Sequence, residues 1–401
     1  MIRLWEQNDY RIAGLQPSID LFNRTNPDVQ IELERKDPNA NNLLPAVAAG
    51  VGPNVIVGAS SRDRDFFDLG ILADLRPYIN RDNFSLDDYF PATLEFGQAP
   101  SGELFSMPLD SQVIVMYYNP EVLARNGLQP PQPGWRNSDL RNMTTKLRQR
   151  DAQGQLTQHA IIGKHPNHVG MYFMGQNNGY IINLENGIEC TVNKPAFRQA
   201  YTIIDELISE DRLRVEGVHS GVTWNIFLTG QAGFYMDGNF RLFDLTNQMN
   251  DVVTAPLLYP DSGAQPGSYL WTRTLALVKS GNPEVDEAAW RVLKFLSSVD
   301  ALTLYVVNAR LLPVTKGSIA HPLFREYVRE FGVNLDLMAN YYLPAGSGKT
   351  EMASPRSDTI RGIWGSLQTR FMRGEIPLST FIDELDHQVQ LIVQEILTGK
   401  Q

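Results

Sequence analysis

The chain has a single cysteine, Cys190, so no disulfide can close within it and no cysteine cluster can hold a metal. That fits the cytosol, and it equally fits an exported protein large enough to need no covalent staple. No run of about 18 apolar residues occurs, so no segment has the length and composition of a membrane-spanning helix. No charged segment followed by an apolar one precedes Ile2 to Trp5, which read as a strand. The expectation is a cytosolic protein or a mature chain whose export signal has been removed. Basic residues are in deficit, 35 Lys and Arg against 45 Asp and Glu, for a formal net charge of −10. Phosphate backbones select basic surfaces, so a nucleic-acid partner is not expected. There is no internal repeat and no low-complexity tail.

Enzyme signatures are also missing. Gly346 to Thr350 reads Gly-Ser-Gly-Lys-Thr, like the end of a phosphate-binding loop, but that motif needs a glycine at 343, where Leu343 stands, and a preceding strand, where Pro344 stands. His165 and His168 are close enough to suggest a metal, yet Pro166 between them works against a helical ligand pair. There is no H-E-x-x-H and no serine in a G-x-S-x-G turn. The pairs Tyr117 and Tyr118, and Tyr341 and Tyr342, could hold a ferric ion; for the first, at a strand end, core packing is the better reading.

What is present suits an open α/β sheet. At 401 residues, with 43% apolar and 20% charged, the chain is ordinary for a globular protein and too long for one core, so two lobes are expected. Leu43 to Ala49 reads as a short helix stopped by Gly50, Gly52 and Pro53 force a turn, and Val55 to Val57 reads as a buried strand. With the strand at Ile2, a helix over 15–26 and an alternating strand over 29–34, the first eighty residues alternate β and α, the input for a mostly parallel sheet. The segment 58–65 is expected to be a free loop at the carboxyl edge, where such sheets bind ligands. Further strands are expected at 113–119, 160–162, 232–236 and 274–278, and helices at 138–150, 196–210, 283–297, 358–373 and 378–397.

Six loops at strand ends mix aromatic rings with directional polar groups. They carry Trp5, Glu6 and Asn8; Ser61, Arg62 and Asp63; Asp110, Ser111 and Gln112; Asn167 and His168; Asp237, Asn239 and Phe240; and Trp271 and Arg273. Flat rings next to Asp, Asn, Gln and Arg suit a polyhydroxylated ligand, whose rings have apolar faces and hydroxyl edges. Arg62, Arg273 and Arg361 hint that the sugar is acidic or phosphorylated. Two other classes stay open: a hydrolase using Glu6, Asp63 and Asp110, which needs two carboxylates at a defined separation, and a metal or anion receptor.

The phrases Leu21 to Pro27, Ala48 to Val55, Gly70 to Leu75, Phe105 to Pro108 with Tyr117 to Asn119, Phe227 to Gly238, Asn282 to Trp290, Leu296 to Ser298, and Leu312 with Pro313 follow one another over nearly the whole chain. In that order they resemble the family 1 extracellular solute-binding proteins of ABC importers, the maltose-binding-protein-like group. The resemblance implies a type II periplasmic-binding fold: two α/β lobes, three crossovers, and a ligand cleft between the lobes. It puts residues 1–109 and 268–310 in one lobe and 110–267 and 311–401 in the other. It further implies a monomer that works by hinge closure, uses no cofactor or metal, delivers its solute to permease subunits, and resides in the periplasm or outside the cell, a lipid anchor being compatible with the family. Phe240 falls where the family's sugar binders place an aromatic platform, His168 and Arg361 fall near ligand positions, and Trp271 and Arg273 stand where many members have glycines.

Overall fold

The computed structural model describes residues 1–99, 101–218, 223–249, 253–331, 338–347 and 350–399. Its main strands are β1 (Ile2–Glu6), β2 (Ile31–Arg35), β3 (Val55–Ala59), β4 (Met107–Tyr118), β5 (Leu156–Gly163), β6 (Leu213–Val215), β7 (Ala232–Gly238) and β8 (Ser268–Leu277). Contacts divide the chain into two compact units, Met1–Gln112 with Trp271–Leu335, and Val113–Leu270 with Asp336–Gln401. The chain passes from one to the other three times, within β4, within β8, and after residue 331. The expected passage at 310 is displaced. Leu312 bridges Ser111, the Phe90 amide donates to Val314 O at 3.0 Å, and Thr315 bridges Tyr89, which ties the segment after 310 to the first unit.

In the first unit the sheet order is β2-β1-β3-β8, with β1 parallel to both β2 and β3 and β8 antiparallel to β3. Helix α1 (Asp9–Thr25) starts six residues earlier than the apolar spacing predicts. Its buried face is Arg11, Leu15, Ser18, Ile19 and Phe22, so a charged residue opens a stripe that is otherwise small or apolar. Helix α2 (Ala40–Ala48) is capped by Asn39, whose Oδ1 accepts from the Asn42 amide at 3.1 Å. Gly50 just beyond it has φ +70, the left-handed turn that glycine makes without strain. The expected free loop after β3 is instead helix α3 (Ser60–Asp68), which begins on the residue after the strand. The core packs Trp5, Leu43, Ile56, Phe66, Leu72 and Ala276 together, each large side chain contributing roughly 1.5–3 kcal/mol on burial. The helix Pro283–Leu296 is capped by Asn282, which accepts from the Glu284 amide at 3.0 Å, and the helix Val299–Ala309 lies along α1.

In the second unit β7 runs antiparallel to β4 and parallel to β5, and β6 extends the sheet beyond β5. β4 is one buried twelve-residue strand that begins six residues before the expected stretch 113–119. The helix Pro166–Asn177 starts inside the stretch expected to be a polar loop, with His165 Nδ1 accepting from the Asn167 amide at 3.1 Å as its cap. The helices Pro195–Ser209, Ser357–Met372 and Leu378–Thr398 close over it. Their shared core is aromatic, with the Tyr201 ring 4.7 Å from Phe197 and 4.6 Å from Phe381.

Candidate functional site

The first unit brings several sequence-selected residues to the carboxyl edge of β1 and β3. Glu6, the last residue of β1, is 2% exposed and gathers the loop around itself. Its Oε1 accepts from the amides of Gln7 and Asn8 at 2.8 and 2.7 Å and from Asn8 Nδ2 at 2.9 Å. Asn8 occupies the N-cap position of α1 without capping it through its side chain. One turn on, Arg11 reaches Asp110 of β4, its Nε 3.3 Å from Oδ2. The Tyr305 hydroxyl donates to the same oxygen at 2.7 Å, and Gln112 Nε2 donates to Oδ1 at 3.1 Å. Burial works against the Arg11 charge, but Asp110 outweighs it and the guanidinium pKa is raised; Tyr305 is pushed up by burial and then by Asp110.

Asp63, in the first turn of α3, is buried and accepts from the Thr274 hydroxyl. Arg62 beside it is ion-paired to Asp37 at 3.2 Å. Arg273, paired with Ala59 across the β3–β8 ladder, is half-buried, and its Nε is shut from solvent with no hydrogen-bond acceptor. Burial, and after it the nearby Arg11, lowers the Arg273 pKa; Asp110, Tyr10 and Arg62 are its other charged or titratable neighbours. Trp271, two residues earlier on β8, is half-buried.

The second unit assembles its own group where β5 and β7 end. Asp237 is fully buried, and four groups converge on it: His168 Nδ1 at 2.8 Å, the Tyr235 hydroxyl at 2.8 Å, the Gly238 amide at 2.8 Å and Arg241 Nε at 3.1 Å. Burial opposes its charge, but the close contact with His168 and the bonds from the Gly238 amide and Tyr235 outweigh it, so the Asp237 pKa is lowered. The half-buried His168 ring meets Phe240 edge to face, centroids 6.3 Å apart, and His165 at 5.7 Å. His165 is held toward its neutral form by burial and then by His168. Arg361 lies 3.8 Å from Asp358 and contributes to the field at His165; its Nε is buried without an acceptor.

Other sequence-selected residues serve the framework. Trp5 is a core residue, 1% exposed, with Nε1 donating to Glu34 at 2.6 Å, so its ring offers no ligand face. Ser111 is buried within β4 and its backbone bridges Leu312. Asn239 spends its Oδ1 on the Val113 amide at 2.9 Å. Asn167 is half-buried, with Oδ1 enclosed and unpaired beside Gly365. The Ser61 and Tyr341 side chains, and Gly348 and Lys349 of the loop-like motif, lie outside the described residues. Among the described residues no three His, Cys, Asp or Glu side chains gather as metal ligands, and Tyr117 instead donates to Gly238 O at 3.0 Å. Sequence reasoning passed over Arg11, Tyr235, Arg241 and Tyr305. Arg11 had a signal, since a charge repeating four residues before Leu15 on an apolar stripe needs a buried partner.

The profile of the bacterial extracellular solute-binding proteins matches residues 8–302. A putative binding protein of Brucella abortus is 24% identical over 309 residues, which are 74% of this chain and 71% of that protein. The cyclic alpha-maltosyl-1,6-maltose binding protein of Arthrobacter globiformis superposes with a TM-score of 0.82 at 18% identity, covering 98% of this chain and 99% of that one. UgpB of Mycobacterium tuberculosis, solved with glycerophosphocholine, gives 0.81 at 16% identity and covers 99% of each. At such identities the likeness establishes the fold, that of the type II periplasmic binding proteins. With the family profile spanning most of its length, the chain belongs to the bacterial extracellular solute-binding proteins, the receptors of ABC importers.

Proposed function

We propose that this receptor binds a carbohydrate and that binding favours a closed form, which permease subunits then read. The observation that carries the sugar reading is the pairing of the Phe240 and His168 rings beside the buried Asp237. A sugar ring asks for an apolar face next to fixed hydrogen-bonding groups, and this edge of β7 offers both. The Arthrobacter globiformis protein, named for the cyclic alpha-maltosyl-1,6-maltose it binds, supports the same ligand class. Ligand would move the open–closed population in proportion to its preference for the closed form. As part of this reading the chain is a monomer outside the cytoplasm, compatible with a lipid anchor, with no nucleic-acid partner and no catalytic turnover.

The rival hydrolase needs a carboxyl group free to donate a proton. Asp110 is engaged by Arg11, Tyr305 and Gln112, Glu6 by three N–H groups, and Asp63 by Thr274, which disfavours that role for each. The test is a thermal-shift screen of the purified chain against neutral sugars, acidic sugars, sugar phosphates and amino acids. A ligand at 100 times its dissociation constant adds roughly 2.7 kcal/mol of stability. A raised midpoint with a carbohydrate, unchanged oligosaccharide after long incubation, and a smaller radius of gyration on binding are the expected results. A midpoint moved by amino acids alone would overturn the sugar reading.

A further inference from the structure

We propose that the solute carries an anionic group, a carboxylate or a phosphate, and that Arg273 is the residue that pairs with it. The proposal rests on the solute-receptor reading and names the chemical class of its ligand.

The position is the first ground. In the order β2-β1-β3-β8, the chain leaves β1 to one side for β2 and returns on the other side for β3. A crevice opens at such a switch point, outside the carboxyl ends of the strands. Two helices start at that edge, α1 soon after β1 and α3 directly after β3, and each turns the positive end of its dipole toward it. Arg273 sits in register with Ala59, the last residue of β3 before α3 begins. Cation and helix terminus thus share one end of one strand.

The charge ledger is the second. Every carboxylate near this edge already has partners. Asp110 is taken by Arg11, Tyr305 and Gln112, and Asp37 by Arg62. Glu6 receives three N–H groups, and Asp63 the Thr274 hydroxyl. Among the described residues Arg273 finds neither an ion pair nor a side-chain hydrogen bond, and its Nε is closed off from water. Among the described residues, no other arginine that is even partly buried lacks both. Burial and the neighbouring Arg11 disfavour its charge, as the lowered pKa records. A half-buried guanidinium with no counter-ion is costly to keep, and an anionic ligand supplies what is missing: two parallel charge-assisted hydrogen bonds to a planar fork. A neutral sugar hydroxyl satisfies only the donors and leaves the charge uncompensated.

The test compares wild type with Arg273→Gln and Arg273→Ala by calorimetry and thermal shift. The probes are glucose and maltose, glucuronate and galacturonate, glucose 1-phosphate and glycerol 3-phosphate, and inorganic phosphate alone against chloride at equal ionic strength. The expected result is wild-type binding of an acidic probe that both variants weaken about 10- to 100-fold, the span of one charge-assisted pair. Without ligand, Arg273→Gln should melt above wild type, since it removes an uncompensated charge; this readout also shows that the variant folds. The uronate and phosphate arms tell the two anion sources apart. Tight binding of a neutral sugar, with acidic probes and inorganic phosphate without effect, overturns the anion proposal and leaves the receptor reading standing. A response to inorganic phosphate that depends on Arg273, with every sugar inert, supports the anion proposal and overturns the carbohydrate reading. Silence from every probe overturns both.

Discussion

Arg11 Nε lies 3.3 Å from Asp110 Oδ2, with both side chains almost wholly removed from water at 1% and 0% exposed. The pair pins the first turn of α1 to β4 within the first unit, and Tyr305 closes the third side at 2.7 Å. Asp110 also offsets part of the field that Arg11 exerts on Arg273.

Breaking that pair from one side should be severe. Asp110→Ala leaves a buried guanidinium without its carboxylate, and such losses run to about 3–5 kcal/mol. Arg11→Met combined with Asp110→Leu removes both charges and should recover a large part of that loss. Urea unfolding of the three variants measures it; a double variant as unstable as Asp110→Ala would show that packing, not charge, governs this corner.

The local signals in the chain reported the frame better than the site. Gly50, Asn39 and Asn282 mark turns and caps by short-range chemistry, and the elements they bound lie close to where the spacing put them. The misreadings share a cause. A polar stretch reads locally as exposed loop, yet Asp110, Ser111 and Gln112 lie within buried β4, with Asp110 held by Arg11 and Tyr305, both distant in sequence. Ser60 to Asp65 carries no apolar periodicity, so the helix that starts there left no pattern to read. Trp5 sits in a strand covered on both faces, where alternation cannot tell core from edge. Buried polar partners are set by the whole fold, and a local window does not contain them.

Asp237 should anchor the second group of site residues through its charge. Asp237→Asn keeps the shape but weakens the contacts to His168, Arg241 and the Gly238 amide, at an expected cost of about 2–4 kcal/mol. The folded-state pKa is depressed, so this contribution is complete above the unfolded value of 3.8 and is lost as pH falls through the lower folded one. The gap between wild type and variant should narrow as pH falls below 3.8, where the wild-type carboxylate takes up its proton. A gap that is unchanged from pH 5 down to pH 2 would contradict the assignment to the Asp237 charge.

Gly170 fixes the helix that carries His168. A Cβ at this position would run into Gln368 Oε1, lie 2.7 Å from the Trp364 ring and 2.9 Å from the Tyr201 hydroxyl. Those three side chains are buried and bonded to one another, so they cannot move aside cheaply. Gly170→Ala should therefore destabilise by about 1–3 kcal/mol, although alanine favours a helix interior. Gly362→Ala, at a helical position with open space around the added methyl, serves as the contrast and should be neutral or stabilising. Equal midpoints for the two variants would show that the helix has room to shift.

Glu351 gives the second unit a pH dependence of the opposite sign. It is fully buried, and burial pushes its carboxyl from the ordinary 4.5 up to about 7, against the pull of local amides and of Arg361. The folded protein therefore holds a proton that the unfolded chain releases between pH 4.5 and about 7. Stability falls as pH rises through that window, by up to about 3 kcal/mol at ~1.4 kcal/mol per pH unit. Glu351→Gln is always neutral, so it should match wild type near pH 4.5, exceed it increasingly up to about pH 7 and hold that lead at pH 8. Chemical denaturation of both proteins at five pH values between 4.5 and 8 reads the difference directly. Asp237 is ionised throughout this range in both proteins, so the two effects separate. Parallel curves for wild type and variant would mean that Glu351 is ionised in the folded state, its charge met by Arg361.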